Sequence, residues 1–520
     1  DTGANSNGGG VRADGGLSML GGLVRANLAG NNGGGIYGTN LSISNTQIIS
    51  NTGKEGGGVY ATDTLTTVNT TFDKNIASVG NGGAIYAFSP SVTITLNGTS
   101  SVSKTIISNS SATTNGGGIY ATGGVHLLGY LTFSNNKALN GEGGAIYTAD
   151  KVDDNFPNSV TKLWTGNTAA GNGGAIRALG KVDMCMGPAF QNNSAGGGTT
   201  ANGGAIYADG SIFLCNEPFT PSQNNTAMNG GAFYAKGAVF LNGHDVFDST
   251  AAQNGGCAYS ETSVTFNVAD ARGCVAGING GAAYSPFTVT ISASSIAQYS
   301  QNRAGNFGGL AQANVVILRD ATVFSNTATL GGAVVATTTL DISNSSIYSN
   351  TAGQAGGALV GLNANAWITN SIFTSNKVTL TNSFGGAIWI TGTATISNST
   401  FLSNTAQFGG GLAALTVTLD GAHFQGNTAL SKGGGISATV VTVRNSDFIS
   451  NTAIQCCLGE GGAIRANTGR VEGSYFEGNT ARDEGAAAYF SSTVTISNSQ
   501  FIRNLDSSHD RASALRLGNT

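Results

Sequence analysis

The chain has 520 residues but only 10% charged residues and a formal net charge of −4, which excludes a basic nucleic-acid stripe and an acidic cation store. Its 80 glycines against 6 prolines exclude an ordinary string of globular domains. A hydrophobic share of 40% excludes disorder, and no apolar run reaches the roughly eighteen residues of a membrane-spanning helix.

Asp1-Thr2-Gly3-Ala4-Asn5 lacks the charged and apolar regions of a signal peptide, so any such segment is expected to have been removed. From Gly8 onward one pattern recurs: an alternating strand, a polar corner, Phe-x-x-Asn, then paired glycines and an apolar residue. That apolar marker falls at Val11, Ile36, Val59 and Ile85, continues through Ile206, Ala283 and Ile388, and reaches Leu515, twenty marks in all. The steps average about 26.5 residues and range from 23 to 34, so insertions are expected in surface loops near 90–115, 150–165, 195–202 and 454–460. Within each unit the alternation has a period of two, as in Leu415-Thr416-Val417-Thr418-Leu419, which predicts strands rather than helices. The fold class is therefore all-β: a right-handed parallel β-helix of about twenty coils, read as one continuous solenoid over 1–520, with coils ~4.8 Å apart.

The marker is always apolar and should face the core. The next position holds Tyr37, Tyr60, Tyr86, Tyr120, Tyr147, Tyr207, Tyr234, Tyr259 and Tyr284, interrupted by Arg177. A position that takes both Tyr and Arg should face outward. The stripe is a candidate surface for glycans or another protein, and its rings can equally cover one another.

Lys151 and Lys181 lie five residues past their markers and Asp153 and Asp183 seven past, so they should form outward ladders beside Asp150 and Lys162. Parallel β-helices also carry polysaccharide lyases and glycosidases, and this face is where such chemistry would sit. The plain alternative is a solvated patch of paired charges. Cys185 and Cys215 both fall nine past their markers, close enough on adjacent coils for a disulfide. Cys257 takes a corner position and Cys274 an Asn position, leaving their pairing open, while adjacent Cys456 and Cys457 could form a vicinal bridge in a loop. An even cysteine count with one well-phased pair favours an oxidising, extracytoplasmic setting.

Phe-x-x-Asn recurs most regularly toward the C-terminus, where Asn376, Asn404, Asn427, Asn451, Asn479 and Asn504 are predicted to stack as an amide ladder. His126, His244, His423 and His509 lie in different coils without metal-site spacing. The paired glycines are corners and not phosphate loops, so no cofactor is expected. The last repeat runs to Leu517 with no capping helix outside the motifs, and the final stretch is richer in charge. Either the chain is expected to be part of something longer, or bare strand edges at both ends would pair head to tail into filaments.

Gly-Gly-Ala-Ile (Gly82 to Ile85) paired with Phe-x-x-Asn resembles the repeat of the chlamydial polymorphic membrane proteins and related bacterial β-helix surface proteins, from Gly8 to about Leu517. The resemblance implies export, cell-surface display as an autotransporter passenger, and adhesion. The family's C-terminal membrane barrel has no counterpart in this sequence, which would suit a processed passenger or a secreted relative. The expected protein is a non-enzymatic, extracellular structural or adhesive element. Its expected partners are its own copies end to end or a surface glycan or protein. The alternatives are a monomeric glycan-binding passenger and a β-helix polysaccharide lyase or glycosidase.

Overall fold

Each of the twenty marker residues begins a β-strand in the computed structural model, which describes residues 5–90, 94–154, 161–185, 187–215, 221–293, 297–455, 459–507 and 513–518. The chain is an all-β parallel β-solenoid. Among the described residues the one helical turn is 3-10, Gly196–Gly198, inside the insertion expected near 195–202. Two compact units are present: Asp1–Asp270 with Cys274–Ala276, and Ala271–Gly273 with Gly277–Thr520.

Unit 1 runs through nine coil-to-coil steps in which marker pairs with marker, from Val11↔Ile36 to Phe233↔Ala258. One of its coils comprises Ile36–Gly38, Leu41–Ser44, Gln47–Ile49 and Thr52–Gly53. The first two lie on one face and the others on a second and a third. Unit 2 repeats this over nine further steps, Ala283↔Ala311 to Ala488↔Leu515. Several of its first-face strands fuse into long ones, as in Ile388–Ser397, Leu412–Asp420 and Ile436–Arg444.

Left-handed corners turn the chain. Around Phe401, Asn398 has φ 47° and Ser403 φ 53°, conformations in which short polar side chains are tolerated. The third corner belongs to the paired glycines, and each is needed for a different reason. Gly409 has φ 66°. Gly410 packs so closely that a Cβ would stand 2.3 Å from the carbonyl oxygen of Gly434.

Inside, each repeated position becomes a column. Phe373, Phe401, Phe424, Phe448, Phe476 and Phe501 stack at centroid spacings of 4.4–5.1 Å. Burying each ring fully stabilises by roughly 1.5–3 kcal/mol. Three residues on, the asparagines form a ladder in unit 2 that starts well before Asn376. It runs Asn302, Asn326, Asn350, Asn376, Asn404, Asn427, Asn451, Asn479 and Asn504, with Nδ2–H donating to the next Oδ1 at 2.9–3.1 Å. Each of these backbone N–H groups donates to the same oxygen. The second amide hydrogen goes to a backbone carbonyl one coil back, as from Asn427 to Phe401 at 2.9 Å. Buried amides are thereby fully satisfied.

A second ladder was not apparent in the sequence. Two residues before the column of Ile347, Phe373, Phe401, Phe448, Phe476 and Phe501, the side chains of Ser345, Ser371, Ser399, Ser446, Ser474 and Ser499 point inward. Each hydroxyl donates to a carbonyl two residues back and accepts the N–H of the preceding coil at 3.1–3.2 Å. The signal was Ser-x-Phe, which recurs at Ser399-Thr400-Phe401 and Ser446-Asp447-Phe448.

Removing one ladder rung should be felt at its neighbour. Asn427→Ala leaves two donors of Asn404 buried without an acceptor, and a loss of about 2–4 kcal/mol is expected. Asn427→Ser should lose far less, because Ser110 and Ser249 already accept at ladder positions in unit 1. Urea unfolding of the two variants tests the ladder, and equal losses would contradict it.

Candidate functional surfaces

The outward tyrosines of unit 1 stand ring on ring. Tyr37, Tyr60, Tyr86, Tyr120 and Tyr147 stack at 4.7–5.4 Å with faces within 19° of parallel. Tyr207, Tyr234 and Tyr259 stack at 4.7–4.8 Å. Register sets this spacing, since each Tyr pairs with the Tyr one coil on. Arg177 fills the break as a flat cation. Its Cζ lies 4.5 Å from the centre of the Tyr207 ring, and its guanidinium is held by Glu142 and Asp209, each at 3.1 Å. The rings shield one another so well that Tyr60, Tyr86, Tyr207 and Tyr234 are 7–9% exposed. What unit 1 offers to solvent is therefore a line of phenol edges. Burial pushes the Tyr60 hydroxyl up to about 12 and that of Tyr234 higher still, helped by its bond to Glu261 at 2.7 Å. Tyr60, Tyr86 and Tyr234 therefore stay neutral at physiological pH. Tyr284 belongs to unit 2, where the following position is Gln312.

On the neighbouring strand positions, Thr95, His126, Asp153 and Asp183 follow one another in register. His126 Nδ1 and Lys151 Nζ each approach Asp153 at 2.5 Å, while Lys181 pairs with Asp183 at 2.7 Å. Burial pushes the Asp153 carboxyl up, but the bonds from Lys151 and His126 outweigh it and hold it below its ordinary range.

Lys162 is not on this outward face. It is fully buried, with Nζ 2.9 Å from Asp154 Oδ2 inside unit 1. The reason is phase. Lys162 stands two residues before Trp164, in the inward column that also contains Leu131 and Pro188. Asp154 Oδ1 also accepts the backbone N–H of Cys185 at 2.9 Å. A second ionisable group occupies the same inward position three coils later: His244, fully buried, 2.9 Å from Ser222 Oγ. That hydroxyl also accepts the Phe190 N–H at 3.1 Å. Burial pulls the imidazole down to about 3.

Cys185 and Cys215 are bridged across adjacent coils with Cα atoms 4.3 Å apart. Cys257 and Cys274 are bridged with Cα atoms 5.5 Å apart, joining a corner to the ladder position. Cys456 and Cys457 lie outside the described residues. Among the described residues no helix is long and apolar enough to cross a membrane.

Four stretches, residues 69–87, 130–149, 189–209 and 422–439, match the model of the Chlamydia polymorphic membrane protein (Chlamydia_PMP) repeat. Each spans the Phe-x-x-Asn strand, the glycine corner and the marker that follows. These coils are similar to the polymorphic membrane protein repeat. The matches fall in both units, so the polymorphic membrane protein pattern and the structural coil coincide: one repeat is one turn of the solenoid. Comparison with curated proteins and with solved structures gives no match.

Proposed function

We propose that this protein is a non-enzymatic, extracellular β-solenoid displayed at a cell surface, whose outward columns form a rigid surface for adhesion. The observation that carries the proposal is the tyrosine column of unit 1, a straight row of phenol edges at 4.7–5.4 Å intervals. Register and mutual stacking fix these groups in advance, so little conformational entropy is lost when a partner docks. The similarity to a repeat of membrane proteins and the two disulfides fit a surface-exposed, oxidising setting. The lyase or glycosidase alternative fits less well. A general acid needs a raised pKa, yet Asp153 is held low and Asp183 has its own lysine.

The test is binding of the full chain to an array of glycans and extracellular-matrix proteins. Replacing Tyr86, Tyr120 and Tyr147 by Phe keeps the stack and removes the hydroxyls. Binding through this strip should weaken about tenfold or more with unchanged circular dichroism. Undiminished binding by the triple variant would move adhesion off the strip, and hydrolysis of any arrayed polysaccharide would refute the non-enzymatic reading.

A further inference from the structure

In unit 2 the outward column that stacks tyrosines in unit 1 breaks open. Its successive members are Trp389, Ala413, Ser437 and Arg465, in register one coil apart. Trp389 and Arg465 thus stand three coils apart, ~14 Å, with only two small side chains between them. The adjacent column holds Phe384, Phe408, Lys432 and Glu460 at matching levels. Phe384 stacks on Phe408 at 5.0 Å and lies 5.9 Å from Trp389. At the other end Glu460 Oε2 is 3.2 Å from Lys432 Nζ and 3.3 Å from Arg465 Nε. The result is a groove of about 350 Å³ lined by Phe384, Trp389, Leu415, Ser437, Thr439 and Arg465. Its floor is the flat face of the fused strands Ile388–Ser397, Leu412–Asp420 and Ile436–Arg444.

We infer that this groove binds a neutral pyranose oligosaccharide. The chemistry is divided as a sugar requires. The groove presents apolar surface in the open, the aromatic Phe384 38% and the aliphatic Leu415 53% exposed, against which the apolar C–H face of a pyranose packs. The other end presents the hydroxyls of Ser437 and Thr439 and the guanidinium of Arg465, which can donate to and accept from sugar hydroxyls. Arg465, the one charged residue in the groove's lining, is already paired with Glu460, which weakens its pull on an acidic ligand. An apolar peptide would leave that polar end desolvated without partners. The two vacant levels sit in a column whose intact portion in unit 1 accepts one ring per coil, and sugar rings would occupy the same levels. This inference deepens the surface-binding proposal and rests on it for its setting outside the cell, but it concerns a different unit and a different ligand contact.

The experiment is calorimetric titration of the full chain with short cello-, malto-, laminari- and N-acetylchito-oligosaccharides, beside two variants. Ala413→Tyr refills the column with the ring that unit 1 carries there, and Trp389→Ala removes the aromatic shelf. At least one oligosaccharide series should bind the unaltered protein. Ala413→Tyr should abolish that binding while leaving the melting temperature equal or higher, and Trp389→Ala should weaken it about tenfold. Absence of binding by every series overturns the inference, as does binding that Ala413→Tyr leaves intact. Loss of array adhesion in the tyrosine-to-phenylalanine variant, with oligosaccharide titration unchanged, separates the strip from the groove. Either can therefore fail alone.

Discussion

Asp154→Ala is expected to destabilise unit 1 by about 3–5 kcal/mol, because it leaves the Lys162 ammonium buried without its carboxylate. Lys162 Nζ lies 2.9 Å from Asp154 and the side chain has no solvent exposure. A buried ion pair is weak evidence for stability when both partners are replaced, and strong evidence when only one is. The double replacement Asp154→Leu with Lys162→Leu should therefore recover most of the loss, since the Lys162 column already holds a buried leucine at Leu131. Solenoid stability is approximately a sum over coils and their nearest neighbours, so the damage should be local. Amide exchange ought to accelerate first around Val152, Trp164 and Val182. A single variant within about 1 kcal/mol of the unaltered protein, well short of the cost of a broken buried pair, would show that the pair is not closed to water.

His244 should make unit 1 sensitive to mild acid. Its folded pKa, about 3, lies below the ordinary value near 6.5. Between those two values the unfolded chain binds a proton that the folded chain does not, so stability rises with pH across this window and falls on acidification. At pH 5 the deficit is roughly 2 kcal/mol relative to neutral pH, and it grows until the folded pKa is reached. His244→Gln keeps a polar partner for Ser222 and removes the titration. Melting temperatures of the two proteins at pH 7.5 and pH 5 should diverge, with the variant losing less on acidification. Parallel losses would mean that the imidazole gains its proton within the fold.

These two groups also show where sequence reading failed. Marker register and the ladder of Asn376 to Asn504 were legible because each repeats over many coils, and a repeated position leaves little freedom about which way it faces. Lys162 reads as a neighbour of the outward Asp153 and Asp183 ladders only if the insertion near 150–165 is ignored. Counted back from Trp164, it falls two residues before the aromatic, where Leu131 precedes Phe133 and Thr70 precedes Phe72. The same count places His244 inside, two before Val246. Ser-x-Phe marks this column at Ser371, Ser399, Ser446, Ser474 and Ser499. The groove beside Trp389 was not legible either. It arises from small residues at Ala413 and Ser437, and a vacancy has no sequence signature of its own until the rings around it are positioned.

The asparagine ladder has a direction. Every rung in unit 2 offers its two donors to the oxygen of the coil that follows, and no rung reverses. A coil leaving the ribosome thus carries open donors until the next one arrives to accept them. Along the chain, each turn completes its predecessor and offers its own donors to its successor. Such a chain can fold in the order in which it emerges, at a contact distance of one coil and without waiting for its distant end.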